Sequence, residues 1–219
     1  MIETRRHQMR RALKWSAGLF AGFLFITYQV ANYGFIARFD QRIENLEHPR
    51  FTGFSNFVIR RLDDLGLRGV SGIALLFVAS YIAYRFKTWR PINLGLLSFI
   101  SLNIVVGGFK YLLGRTKPRE GYDLIGAGGM SYPSGHASNA IFIWGVIAYL
   151  IYRYAHVDRF RGRLASTGVA LLSLTVCTVS LLRNTHWFSD LFAGLLLGGS
   201  LLVLIIAVDR YFPSKSELH

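Results

Sequence analysis

The sequence predicts an all-α fold: an integral membrane bundle of six transmembrane helices, with an interfacial helix in the first outer loop. Three observations carry that prediction. Hydrophobic residues make up 52% of the 219-residue chain and the mean hydropathy is +0.35, more apolar than a soluble domain requires. Six apolar runs approach the roughly 20 residues that a bilayer-crossing helix needs. The charged residues gather between those runs rather than within them.

The first run, Ala12 to Tyr33, follows the basic head RRHQMRR. That head resembles the n-region of a signal peptide, but the apolar part is too long and lacks a small-x-small cleavage site, so it reads as an uncleaved span. The next runs are Val70 to Tyr84, Ile92 to Leu113, Ser138 to Tyr152, Leu164 to Leu182 and Trp187 to Tyr211. The second is short and has room to begin near Leu65. The long first loop, Gly34 to Gly69, contains FSNFVIRRLDDLGL, where Phe54, Phe57, Val58 and Leu62 recur near helical spacing, with Arg60, Arg61, Asp63 and Asp64 elsewhere. This stretch reads as a helix lying along the headgroups, with substrate gating as the alternative.

Lys and Arg placement orients the bundle. One side holds the basic head, Arg85, Lys87 and Arg90, then Arg153, Arg159, Arg161 and Arg163, and finally Arg210 and Lys215. This is the richer side, so both termini face the cytoplasm of a cell membrane. A pI near 10.3 by itself admits nucleic acid as a partner, but the clustering between apolar runs argues against it. The single Cys177 excludes an intramolecular disulfide, and no CxxC or HExxH supplies a zinc site. Without repeats or low-complexity linkers, residues 1–219 form one domain. The oligomeric state is not legible.

Three clusters fall on the outer side. KYLLGRTKPRE places Lys110 at the end of the third span, with Arg115, Lys117 and Arg119 close behind. Snorkelling at a helix end accounts for Lys110 alone; four cations on the disfavoured side point to an anionic ligand. In SYPSGHASN, Pro133 and Gly135 break the loop and a span begins at once, which offers free N–H groups, the Ser134 hydroxyl and His136 to an anion. The same stretch also reads as an ordinary Ser or Asn cap. In SLLRNTHWFSD, His186 and Asp190 lie four residues apart on one helix face, so the carboxylate can fix the ring tautomer and leave the other nitrogen free. The alternative there is a structural His–Asp bond between spans. Together these are the parts for phosphoryl transfer without a metal. Glu120, Asp123 and Asp190 are the only outer-side acids expected near the clusters, too few to hold magnesium.

In this respect the chain resembles the type 2 phosphatidic acid phosphatase (PAP2) superfamily, whose pattern runs K-x6-R-P, then P-S-G-H, then S-R-x5-H-x3-D. PSGH is present in full at Pro133 to His136, Lys110 and Pro118 keep their spacing, and His186 and Asp190 keep theirs. Two positions depart: Lys117 stands in the arginine place of the first motif, and Val179 and Ser180 stand in the Ser-Arg place of the third. Arg183, Arg115 and Arg119 are the candidates for the missing guanidinium. The resemblance implies a membrane lipid phosphatase with no cofactor and no metal. It implies His186 as nucleophile through a phosphohistidine, Asp190 orienting it and His136 as acid and base. Lys110, Lys117, Ser134, Gly135 and Arg183 would hold the phosphate. Expected substrates are a polyprenyl phosphate or diphosphate, phosphatidate or phosphatidylglycerol phosphate. A lipid phosphotransferase with the same site and a non-catalytic lipid-phosphate carrier remain as alternatives.

Overall fold

The computed structural model describes residues 2–46, 49–155 and 158–212. Among the described residues, eight α-helices run in chain order: α1 (Ile2–Ala31), α2 (Phe35–Glu44), α3 (Gly53–Asp64), α4 (Arg68–Phe86), α5 (Arg90–Leu113), α6 (Gly135–Tyr154), α7 (Arg159–Leu182) and α8 (Phe188–Tyr211). A short 3-10 turn, Pro118–Glu120, precedes the α6 loop. Five helices, α4 to α8, are long and apolar enough to cross a membrane, and a sixth span is reached if α1 and α2, bent by 72°, are counted together. The helices overrun the apolar runs, because a helix continues through polar residues until a cap or breaker stops it. α4 thus starts at Arg68 rather than Val70, and α7 starts at Arg159 rather than Leu164. Lys215 lies outside the described residues.

α6 is the axis of the bundle. Its Ala140, Phe142, Ile143, Val146 and Leu150 are fully buried, and α4, α5, α7 and α8 all pack against it. α1 lies along α8, where the Ser16 hydroxyl donates to the Ser200 carbonyl (3.0 Å) and the Ser200 hydroxyl donates to the carbonyl of Ser16 (2.9 Å). Small hydroxyls at such a seam let two helices approach while satisfying their own polar atoms. The outward faces carry large apolar side chains, among them Ile73, Phe77, Leu112 and Leu174, all more than 60% exposed, a surface suited to lipid and not to water.

A polar knot closes the end of the bundle where α1 begins. Arg90 of α5 donates to Asp209 of α8 at 2.8 Å, and Tyr149 and Arg153 of α6 donate to the other Asp209 oxygen at 2.6 Å each. At the opposite end, the first loop folds back onto the bundle. α2 packs on α1 and α8, and α3 packs on α7. The amphipathic FSNFVIRRLDDLGL stretch is helical as far as Asp64, with Phe54 and Phe57 exposed and Asp63 buried.

Candidate active site

The site forms where the C-terminal ends of α5 and α7 meet the N-terminal ends of α6 and α8. α6 begins sharply because Ser134 is its N-cap, the hydroxyl accepting the Ala137 N–H at 3.3 Å. The N–H groups of Gly135 and His136 have no acceptor among the described residues, as expected of a first helical turn. Gly194 allows α8 to approach this turn. A Cβ there would lie 2.6 Å from the Ser134 carbonyl oxygen. The Ser134 N–H donates to the Asp190 carbonyl at 2.9 Å, and the Ser138 hydroxyl donates to the Ser134 and Gly194 carbonyls at 2.8 and 3.1 Å. The two helix starts are thereby fixed together.

That junction brings the two histidines side by side, with ring centroids 5.8 Å apart. Nδ1 of His186 lies 3.3 Å from a carboxylate oxygen of Asp190, and Nε2 has no hydrogen-bond partner among the described residues. Asp190 is completely buried. It accepts the Trp187 N–H (3.1 Å) as the third residue of α8, it accepts the Ser131 hydroxyl, and it faces His186. A carboxylate at a helix N-terminus is favoured by the dipole. Tyr132, in the same loop, shares a 2.7 Å bond with the Thr27 hydroxyl of α1, and burial pushes its phenol above the ordinary range.

The remaining predicted residues divide into two groups. Lys110 reaches the site: its ammonium donates to the Met130 and Ser131 carbonyls, and its stem passes 3.9 Å from where a Gly135 Cβ would be. Lys117 is exposed at the start of the 3-10 turn, near enough for its charge to act on Lys110. Arg183 ends α7 with its side chain 22% exposed, and its charge acts on His136. The one bond of that side chain to a described residue is to Asp63.

Arg115, expected to hold phosphate, is placed elsewhere. It is 0% exposed, and its guanidinium lies 5.1 Å from the Trp187 ring. Its Nε donates to Asp123 at 2.8 Å. Nη1 donates to Ser189 (2.7 Å) and Asp190 (2.8 Å), and Nη2 to Asp40 (2.8 Å) and Asp123 (2.6 Å). Five donors meet five acceptors, so none remains for a phosphate oxygen. Arg115 instead anchors the carboxylate that faces His186. Arg119 is exposed and donates to the Arg183 and Asn184 carbonyls at 3.1 and 3.2 Å, closing the end of α7.

Sequence reasoning missed Asp40 and Asp63, which reach the site from the first loop. Asp40 accepts the Ser189 N–H at 2.9 Å; Asp63 accepts the Ser180 hydroxyl at 2.7 Å. Arg68, the first residue of α4, was missed too, and its charge acts on Lys110. Asp40, Asp123 and Asp190 converge on a guanidinium rather than on a space for a cation.

A crystal structure of a transmembrane PAP2 type phosphatidylglycerolphosphate phosphatase from Bacillus subtilis superposes on this fold with a TM-score of 0.78, at 20% identity, covering 91% of this chain and 98% of that one. No curated protein matches the sequence. Residues 92–213, more than half of the chain and the part that carries Lys110, the PSGH turn, His186 and Asp190, match the PAP2 superfamily, and the chain belongs to that superfamily.

Proposed function

We propose that the protein is an integral-membrane, metal-independent lipid phosphatase that hydrolyses a phosphomonoester or diphosphate through a phosphohistidine. The observation that carries this reading is the pair of adjacent imidazoles, one with a buried carboxylate on Nδ1, beside a helix start with free N–H groups.

In this mechanism the phosphoryl oxygens occupy the space bounded by the Gly135 and His136 N–H groups, the Lys110 ammonium and Arg183, with Ser134 and Lys117 beside it. Nε2 of His186 attacks phosphorus, and the bond to the lipid oxygen breaks as His136 protonates that oxygen. Asp190 holds the ring and stabilises the imidazolium that forms; Arg115 fixes Asp190. His136, now neutral, takes a proton from water, whose oxygen attacks phosphorus and frees His186. Fixed cations and N–H groups supply the charge stabilisation that a metal would otherwise give.

The lipid tail stays among the helices while the headgroup meets this end of the bundle. The basic head of α1, with Arg153, Arg159, Arg161, Arg163 and Arg210, lies at the other end. This distribution supports cytoplasmic termini and a site on the extracytoplasmic face of a cell membrane. Candidate substrates are polyprenyl phosphate or diphosphate, phosphatidate and phosphatidylglycerol phosphate.

The test is phosphate release by purified protein from a panel of these lipids, with no acceptor alcohol added. Release by the wild type and its abolition in His186→Ala are expected. Turnover only when an acceptor is added would identify a phosphotransferase, and tight binding without turnover a carrier. Activity retained by His186→Ala would remove the nucleophile assignment.

A further inference from the structure

The third superfamily motif places an arginine where this chain has Ser180, and the geometry points to how the chain compensates. We propose that Asp63, from the first loop, is a positioning residue that holds the Arg183 guanidinium toward the substrate phosphoryl group. The inference rests on the phosphate-site reading above and extends it to a residue outside all three motifs.

Four observations converge. First, Ser180 is completely buried, and its small side chain leaves a place that the Asp63 carboxylate fills, accepting the Ser180 hydroxyl on one oxygen at 2.7 Å and Nη1 of Arg183 on the other. Ser180 and Arg183 lie about one helical turn apart at the end of α7, so one carboxylate spans both.

Second, the two arginines near the site differ in what they have left to give. All five donors of Arg115 are used. The Arg183 side chain commits one N–H to Asp63 and makes no other bond to a described residue. Its remaining donors are available for a ligand with several oxygens, and its side chain is 22% exposed.

Third, Asp63 is built into the site rather than resting beside it. It is 4% exposed, whereas its neighbour Asp64 turns outward to Arg61 at 2.9 Å. The turn after it presses on α6: a Cβ at Gly66 would lie 2.9 Å from the Cβ of His136 and 2.8 Å from Val176 Cγ1. The Gly66 carbonyl accepts from Asn139 and the Leu65 carbonyl from Trp144, both at 3.0 Å. Fourth, the charges of Asp63 and Arg183 both act on His136. In a largely buried ion pair, desolvation offsets much of the attraction, so the pair adds little net stability. Burying a carboxylate to make one is better explained by orientation of its partner.

The experiment uses full-length protein in detergent micelles. It measures orthovanadate affinity by calorimetry, and kcat and KM on short-chain phosphatidate, for wild type, Asp63→Asn, Arg183→Ala and the double variant. Asparagine keeps an acceptor for Ser180. Loss of a charge-assisted bond predicts vanadate binding weakened about 10- to 100-fold in Arg183→Ala, and a smaller loss, about 5- to 10-fold, in Asp63→Asn. The double variant should bind no more weakly than Arg183→Ala, because Asp63 acts through Arg183. Wild-type vanadate affinity in Asp63→Asn, or losses that multiply in the double variant, would overturn the proposal. If Asp63→Asn melts early, comparing the double variant with Arg183→Ala still decides: any further weakening there counts against the proposal. Vanadate binding with this pattern but no lipid turnover would overturn only the phosphatase reading; no vanadate binding by the wild type would overturn both.

Discussion

Replacing Arg115 separates a structural cation from a ligand-binding one. Arg115→Met keeps much of the side chain's apolar stem but withdraws five charge-assisted hydrogen bonds, leaving Asp40, Asp123 and Asp190, each no more than 2% exposed, without their common counter-ion. Breaking a buried ion pair costs about 3–5 kcal/mol because the remaining charge is uncompensated. Water and protonation relieve part of that cost, while three carboxylates sharing one cation raise it. With about 2–4 °C per kcal/mol for a chain of this size, Arg115→Met should melt about 6–20 °C below the wild type. The assay is a thermal melt of purified protein in detergent, with phosphate release measured well below the transition. kcat should fall as well, since Asp190 loses the bond that fixes it. A variant with wild-type melting and only a raised KM would refute the assignment and return Arg115 to the phosphate.

Other outcomes follow from the same geometry. Arg119→Ala removes two bonds from exposed carbonyls at the end of α7, so activity should stay within about threefold of wild type and stability within about 1 kcal/mol. A larger loss would give Arg119 a place at the substrate. Gly194→Ala puts a methyl 2.6 Å from the Ser134 carbonyl and must push α8 from α6, costing about 1–3 kcal/mol in melts and most of the activity; a neutral result would mean the two helix starts are not in register. Phosphate release should be unchanged by a chelator. Loss that magnesium restores would reverse the metal-independent mechanism.

What the sequence made legible was local. PSGH, and His186 with Asp190, stand out because the residues of each motif lie within about a turn of one another, and the apolar runs mark the long helices because hydropathy is a property of a window. Asp40 and Asp63 were not legible. Each sits on an amphipathic helix in a polar loop, where an acid normally faces water, and only the folding of α2 onto α8 and α3 onto α7 buries it. The misplacement of Arg115 has the same origin. Four cations in ten residues look alike until the carboxylates that claim one of them arrive from α2, the α5–α6 loop and α8. The departure at Ser180 was visible as a loss, whereas the partner that fills its place came from more than 100 positions away: Asp63.

The central claim is that His186 carries the phosphoryl group, and trapping that intermediate tests it most directly. Purified protein is mixed with lipid phosphate labelled at the phosphoryl group, quenched in alkaline detergent within the first turnover, and digested for peptide mapping. The account predicts an acid-labile, alkali-stable label on the peptide containing His186, absent from His186→Ala and reduced in Asp190→Asn. Turnover with no label on the protein, or a label on any other residue, would contradict it.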